Sequence, residues 1–364
     1  MKKICPVLWG ICLTVLSYTA CSSEDVIEQI LKEGVNFQGD SGGGLGTNST
    51  STESPVFLGY KALSPTELSF QFSLPVTVRS LNFDPPAEVE GVDEGDTVTV
   101  TLSEPLKGGE RFVADILVED GRRNTLNVLI PFRARNERIP EFLITELRTE
   151  VSKLKVEFVE LKTLSAGNLG ALRLFITTNS MDIPVFEFPP VEVAEGEYLV
   201  VHLRSAEAGI SNELEDDLGE SGGTETNPES RDFWVPEAEE RFRKTDAVYL
   251  LDQDDRIIDG VIFSETADAW WTKETLAAAA EFLSEQGAWM PISAAGSEED
   301  PPAGNAGAIP GPADAVNSSK TTNTRSICRD ETLPDSNTAA DWYITVTSGA
   351  TPGRPNNPNR FVVQ

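Results

Sequence analysis

Apolar and polar positions along this chain fall into short blocks set apart by Gly, Asn and Pro. The densest group runs from Phe142 to Val201. It holds Phe142-Leu143-Ile144-Thr145-Glu146-Leu147, then Val156-Glu157-Phe158-Val159-Glu160-Leu161, then residues 169–176 and residues 193–201. Such β-branched or aromatic blocks, recurring at roughly ten-residue intervals, predict a β-sandwich rather than a helical bundle or a doubly wound sheet. Glu146, Glu157 and Glu160 interrupt the apolar runs, which predicts that they lie on a solvent-facing side of their strands. Ahead of this group, residues 56–60, 68–72, 97–102, 112–118 and 126–132 form a second set of strand candidates. In residues 68–72 and 97–102 apolar and polar positions alternate strictly, the pattern of a half-buried strand.

The pattern then breaks twice. Residues 205–246 are polar and acidic, and their composition predicts a mobile surface insertion, with Phe233-Trp234-Val235 as an anchor back to the body. Strand character resumes at 247–251 and 257–263, across the acidic turn Asp252-Gln253-Asp254-Asp255. A second insertion, 264–320, carries a helix signal over 273–286. Thr272 is its expected N-cap, Gly287 its stop, and Leu276, Ala279, Ala280 and Leu283 share one face. A Pro/Gly/Ala-rich loop follows from 297 to 312.

Several of these residues resemble the marks of the lamin-tail domain, an immunoglobulin-like sandwich. They are Ile144-Thr145-Glu146, Phe158-Val159-Glu160-Leu161, Leu169-Gly170-Ala171-Leu172 and the run from Val193 to Val201. Far downstream come Arg325-Ser326-Ile327-Cys328-Arg329, Asp335-Ser336-Asn337, Asp341-Trp342 and Thr351-Pro352-Gly353 with Asn356-Asn357. Phe158 and Leu172 stand where that family usually has tryptophan. The resemblance implies a sandwich over 141–358, with Trp342 in its core and an Arg329–Asp341 pair locking the returning segment. Residues 55–136 resemble, more loosely, a bacterial immunoglobulin-like spacer. The fold expected is therefore all-β: two immunoglobulin-like β-sandwich domains, the second a lamin-tail domain with two insertions, one of them containing a helix.

Charge narrows the function. The 364 residues hold 59 acidic and 29 basic side chains, a formal net charge of −30. Such a field repels nucleic acid, which is not expected as a partner. Within it, Arg122, Arg123, Arg133, Arg135 and Arg138 form a basic concentration. They read either as a docking patch for an anionic partner or, as favoured, as cations paired with acids across a short joint at 137–140.

The first 20 residues read as an export signal: Lys2 and Lys3, a short apolar run over 7–15, and the small residues Thr19-Ala20. The next residue, Cys21, resembles the modified cysteine of a bacterial lipoprotein, with Tyr18 where leucine is usual. This predicts a lipid on Cys21, a flexible tether over 21–54, and attachment to the membrane of the cell envelope. Cys5 and Cys12 leave with the signal, so Cys328 remains alone and no internal disulfide is expected.

Candidate chemistry is sparse. With one histidine, His202, no Ser-His-Asp or Cys-His centre is expected, and no zinc site, cofactor or catalytic residue is assigned. The four-residue acidic turn reads as a solvated hairpin in preference to a calcium loop, because no Gly stands at the sixth loop position and no Glu at the twelfth. Trp270, Trp271 and Trp289 bracket the helix. They either form a platform for a protein or carbohydrate ligand or pin the helix to the sandwich, the latter being favoured. The expected function is a non-catalytic, lipid-anchored envelope module. The alternative is an accessory or carboxylate-based hydrolase component.

Overall fold

A computed structural model describes residues 54–152, 155–205, 207–236, 241–291 and 309–362. The export signal, Cys21, the tether through residue 53 and most of the Pro/Gly/Ala loop lie outside these residues.

The first sandwich is built from β1 (Phe57–Ser64), β2 (Glu67–Asp84), β3 (Val89–Asp93), β4 (Gly95–Leu102), β5 (Arg111–Asp120) and β6 (Thr125–Arg133). β2 organises it. Its first half pairs with β1 on one side and β4 on the other, and its second half pairs with β5. The change of partner falls between Gln71 and Val76, where Pro75 has no N–H to give a ladder. One strand thus serves two layers. Leu68, Phe70, Phe72, Val98, Val100, Ile116 and Phe132 fill the space between them. Each such side chain contributes about 1.5–3 kcal/mol by leaving water. The alternation in residues 68–72 and 97–102 predicted these strands, whereas β3 and the length of β2 were not foreseen.

The second sandwich starts with β7 (Phe142–Arg148), β8 (Phe158–Thr163), β9 (Gly167–Asn168) and β10 (Arg173–Ile176). It continues through β11 (Phe186–Glu187), β12 (Glu192–Val193), β13 (Tyr198–His202), β14 (Arg231–Trp234), β15 (Asp246–Leu251) and β16 (Ile257–Ser264). After the helix α1 (Glu274–Glu285) come β17 (Val316–Asn317), β18 (Ile327–Arg329) and β19 (Trp342–Ile344). One sheet has the order β14-β13-β8-β7-β18-β19 and the facing sheet β11-β10-β15-β16-β17. Leu147, Val159, Leu161, Leu199 and Val201 of the first sheet share a core with Leu174, Ile176, Val248, Leu250 and Phe263 of the second. The all-β expectation is met.

Two readings of the sequence are overturned here. The 205–246 stretch is a surface insertion only in part: residues 207–229 form turns with few buried side chains, while Phe233-Trp234-Val235 anchors it to the body as expected. It supplies β14, which lies parallel to β13 at the sheet edge, and it buries Glu213, Ser221, Ser230, Arg231 and Asp232. Arg231 ties the stretch to itself and to the turn before β13. The Arg231 guanidinium donates to the Glu213 and Glu215 carbonyls at 2.8 and 2.7 Å and to the Glu197 carboxylate at 3.1 Å.

Glu146, Glu157 and Glu160 are likewise buried, not solvent-facing. The outer face of the six-stranded sheet is covered by the end of the chain. Thr351 N–H donates to Glu146 at 3.0 Å and Gly353 N–H to Glu160 at 2.7 Å. The Asn356 side-chain amide donates to the carbonyls of Thr145 and Arg329, each at 2.9 Å. Glu157 is held by Arg204, whose Nε is 2.7 Å from Oε2. A carboxylate in an apolar run marks the face away from the core. It does not say whether that face meets water or another stretch of backbone donors.

The two sandwiches meet tightly. A Cβ on Gly109 would lie 2.3 Å from the Gly170 Cα, so only glycines permit this approach, and Gly109 also has φ +77°. Asn136 is the buried polar centre of the joint. Its amide donates to the carbonyls of Asn168 and Gly170 at 2.8 Å, and its backbone carbonyl accepts from Gln253 at 2.8 Å. Arg135 grips Asp254 with two bonds, at 3.1 and 2.8 Å. Arg138 pairs with Glu192 at 3.0 Å, and Arg133 with Glu187. The pairing expected of these three arginines is what the joint shows.

Candidate binding groove

β16 ends at Ser264, and the chain must then reach α1 across the end of the sandwich. Glu265 N–H donates to Thr245 Oγ1 at 3.1 Å and Thr266 N–H to Ser264 Oγ at 3.2 Å, so the crossing is tied at its start. α1 buries Leu276, Ala279, Ala280 and Leu283, the residues its periodicity selected. Its N-cap is Lys273 without a side-chain capping bond, one residue later than the predicted Thr272. Gly287 takes φ +73° just beyond the end, as its position predicted. A Cβ on Gly260 would come 2.4 Å from Leu283 Cδ2, and its absence lets the helix sit down on β16.

The three tryptophans separate completely. Trp289 is in the core and donates its indole N–H to the Asp314 carbonyl at 3.1 Å, so it cannot belong to a partner surface. A wide ring beside a helix can pack inward as easily as outward, and here the turn after Gly287 carries it inward. Trp271 is half-buried against the core, with its N–H fixed on the Pro310 carbonyl at 2.7 Å. Trp270 is 83% exposed.

Trp270 and Trp271 border a groove of about 540 Å³. Phe242, Leu276 and Pro312, all buried, form its apolar floor. Thr149, Thr245, Thr266 and Thr272 bring hydroxyls to its sides, and Lys244 pairs with Glu150 at 3.1 Å across one wall. Three acids, Glu150, Glu265 and Asp268, balance three bases, Arg243, Lys244 and Lys273. Aromatic surface, hydroxyls and balanced charge suit an uncharged, polyhydroxylated ligand better than an ion.

Carboxylates displaced from their ordinary titration range lie elsewhere. Burial pushes Asp246 and Asp259 up to about 6 and Glu213 up to about 7. Burial also raises Glu146 and, together with the neighbouring charge of Glu146, Glu160. These five sit inside the second sandwich, and neither the groove nor the cleft between the sandwiches is lined by them. His202 is buried, 2.7 Å from Asp232 through Nε2 and stacked on Trp234 at 3.9 Å. Cys328 is buried on β18, where desolvation raises its thiol well above the usual range. Both are packed side chains.

In the acidic turn, Asp254 is committed to Arg135 and Asp255 to Arg173 at 2.7 Å, while Asp252 accepts the N–H groups of Asp254 and Arg256. Among the described residues no group of three or more His, Cys, Asp or Glu is placed to hold a metal. Arg329 does not pair with Asp341. It spans Asp259 at 2.9 Å and Asp335 at 2.6 Å, and Asp341 accepts from Ser336, at 3.0 Å from its N–H and 2.7 Å from its hydroxyl. Sequence spacing cannot choose among aspartates that different strands bring to one guanidinium.

Fold and groove together define an all-β protein with a grooved second sandwich. Residues 140–344 match the family profile TP_1001_2nd, described as "protein second domain", and the chain belongs to that family. An uncharacterized protein of Treponema pallidum (strain Nichols) is 26% identical over 190 residues, which is 50% of this chain. The match spans 48% of that relative's length, so the chain corresponds to about half of it. Among solved structures, the N-terminal part of the bacterial S-layer protein SbsC aligns over 58% of this chain and 44% of its own, at 12% identity and a TM-score of 0.22. Domains 1–6 of SbsC align over 55% and 39%, at 12% identity and a TM-score of 0.23. Overlaps of that quality carry no argument about architecture or role.

Proposed function

We propose that this protein is a non-catalytic, lipid-anchored module of the bacterial cell envelope that binds a carbohydrate chain in the groove beside Trp270 and Trp271. The observation that carries the reading is the exposed Trp270 ring beside a groove whose floor is apolar and buried. An exposed tryptophan contributes nothing to a core, whereas its flat face stacks on a sugar ring at low entropic cost. The lamin-tail-like sandwich then acts as the frame, and the N-terminal lipid and tether hold it at a membrane.

The test uses the full mature protein in detergent and a series of peptidoglycan-derived and outer-surface glycans, followed by tryptophan fluorescence. A saturable change in the wild type that is lost in Trp270→Ala, with an unchanged circular dichroism spectrum, is expected. Equal binding by Trp270→Ala would refute the groove as the site.

A further inference from the structure

A second cavity, of about 490 Å³, opens between the two sandwiches. Its charge is opposite in character to that of the whole chain. Five cations, Lys61, Arg111, Arg133, Arg135 and Arg173, line it against two carboxylates, Glu187 and Asp254. Screening confines a surface field to about 8 Å at physiological salt, so an anion inside the cleft meets these residues and not the distant net charge of −30.

The cations that hold the joint outnumber the carboxylates they meet. Arg111 and Arg133 stand directly opposite one another in the β5–β6 ladder, an arrangement that costs stability for like charges. Both reach a single carboxylate: Arg111 meets Glu187 at 3.2 Å, and Arg133 meets its other oxygen. One negative charge therefore serves two guanidinium groups. Burial, and secondarily the Arg111 charge, depress the Arg133 guanidinium below its ordinary value. Arg133 also donates to the Gly109 carbonyl at 3.0 Å, which fixes its orientation. Lys61, on β1 at the mouth, is exposed and forms no ion pair with a carboxylate among the described residues, although its charge acts on Asp254. The exposed Tyr60 ring stands beside it, edge-on to Phe132 at 6.1 Å.

We propose that this interdomain cleft binds a phosphate-bearing small molecule, with Arg111, Arg133 and Lys61 receiving the phosphate. A guanidinium fork presents paired N–H donors at the spacing of two phosphate oxygens, and Lys61 adds a point charge. A phosphate brings more than one negative charge in a compact group, which matches the two positive charges that Arg111, Arg133 and Lys61 keep once Glu187 is counted. The remaining volume, between Tyr60, Ala171 and Gln253, accommodates the group that carries it. This site is independent of the tryptophan groove.

The probe is inorganic pyrophosphate, titrated calorimetrically into the full mature protein at ionic strength held constant with sodium chloride. Saturable one-to-one binding is expected. Lys61→Gln, an exposed side chain whose loss leaves the fold alone, and Arg111→Gln should each weaken it about 10- to 100-fold, the loss of one charge-assisted bond. Arg79→Gln, a cation of the first sandwich paired with Glu119 away from the cleft, should bind as the wild type does. Trp270→Ala should also bind normally, which separates failure of this site from failure of the groove. Absence of saturable binding in the wild type, equal affinity in Lys61→Gln and Arg111→Gln, or citrate binding as tightly as pyrophosphate would each overturn the assignment.

Discussion

Glu146 and Glu160 are direct cross-strand partners on β7 and β8, and both are excluded from solvent. Each accepts backbone N–H groups from the same returning segment, through Thr351 and Gly353. Ser326 and Thr145 add hydroxyl donors, the latter at 2.7 Å from Glu160. Two carboxylates so placed cannot both be comfortably charged, and burial reinforces the effect.

Stability should therefore fall as pH rises from about 4.5 toward 7.5. A carboxyl whose folded pKa is raised binds its proton more tightly in the folded state. Its stabilisation is complete below the unfolded value near 4 and is lost as pH climbs through the folded value. Asp246 and Asp259, pushed up to about 6, and Glu213, pushed up to about 7, set this window, and Glu160, raised by burial and by the charge of Glu146, acts in the same direction. Below about pH 4 the slope reverses, because donors to Asp254, Asp330 and Glu331 hold those groups low. Glu160→Gln keeps an acceptor for Gly353 and lets the Thr145 hydroxyl turn round to accept. It should flatten the decline, as read from urea midpoints at pH 4.5, 6 and 7.5. A slope unchanged from wild type would show that Glu160 does not contribute.

Arg329 is a buried cation of the second sandwich with two carboxylate partners. Besides Asp259 and Asp335, its Nε donates to the Ile144 carbonyl at 2.8 Å, and its guanidinium lies 4.6 Å from the Trp342 ring centre. Arg329→Met should cost about 3–5 kcal/mol at pH 7, since it leaves Asp259 buried without its cation. Asp259→Asn combined with Arg329→Met should cost less than the sum of the two single changes. Additivity in that double-mutant cycle would mean the two side chains are energetically independent.

The tryptophans give a stability contrast. Trp289→Ala removes a fully buried ring and should cost about 3–5 kcal/mol in a denaturant melt. Trp270→Ala, at an exposed position, should stay within about 0.5 kcal/mol of wild type. Comparable losses in the two variants would place Trp270 in the core and remove it from the groove.

Lipid attachment is checked by metabolic labelling. Labelled palmitate should enter the wild-type protein expressed in a bacterial host and be absent from Cys21→Ser. Label retained by that variant would exclude Cys21 as the attachment point.

Much of the architecture was legible because alternation reports directly on a strand with one face in a core. Leu68-Ser69-Phe70-Gln71-Phe72 is such a strand, and the helical spacing of Leu276, Ala279, Ala280 and Leu283 worked in the same way. What could not be read were properties set by distant chain. Glu146 and Glu160 are covered by residues roughly two hundred positions away, so their burial leaves no local trace. The order within 205–246 was hidden because Arg231, whose guanidinium binds the Glu213 and Glu215 carbonyls, counts as one more charge in a charged stretch. Of the cleft, Arg133 and Arg135 were noticed, but Lys61, Arg111, Arg173 and Glu187 come from strands scattered along the chain. No spacing rule gathers them. Trp270 and Trp289 differ in exposure because of the turn between helix and loop, which composition does not encode.

The tail that covers Glu146 and Glu160 has a consequence for the order in which this protein can assemble. The contact between Glu146 and Thr351 spans 205 residues, and that between Thr145 and Asn356 spans 211. β7 opens the second sandwich, but its neighbour β18 and its outer lining arrive only after nearly two hundred further residues. Until residues 351–356 dock, β7 and β8 form a half-built sheet whose two glutamates are wet, charged and mutually repelling. The late backbone donors of Thr351 and Gly353 act as a latch that closes last. Folding dominated by such distant pairings is slow. The second sandwich is accordingly a structure that cannot be completed until its own final segment is in place.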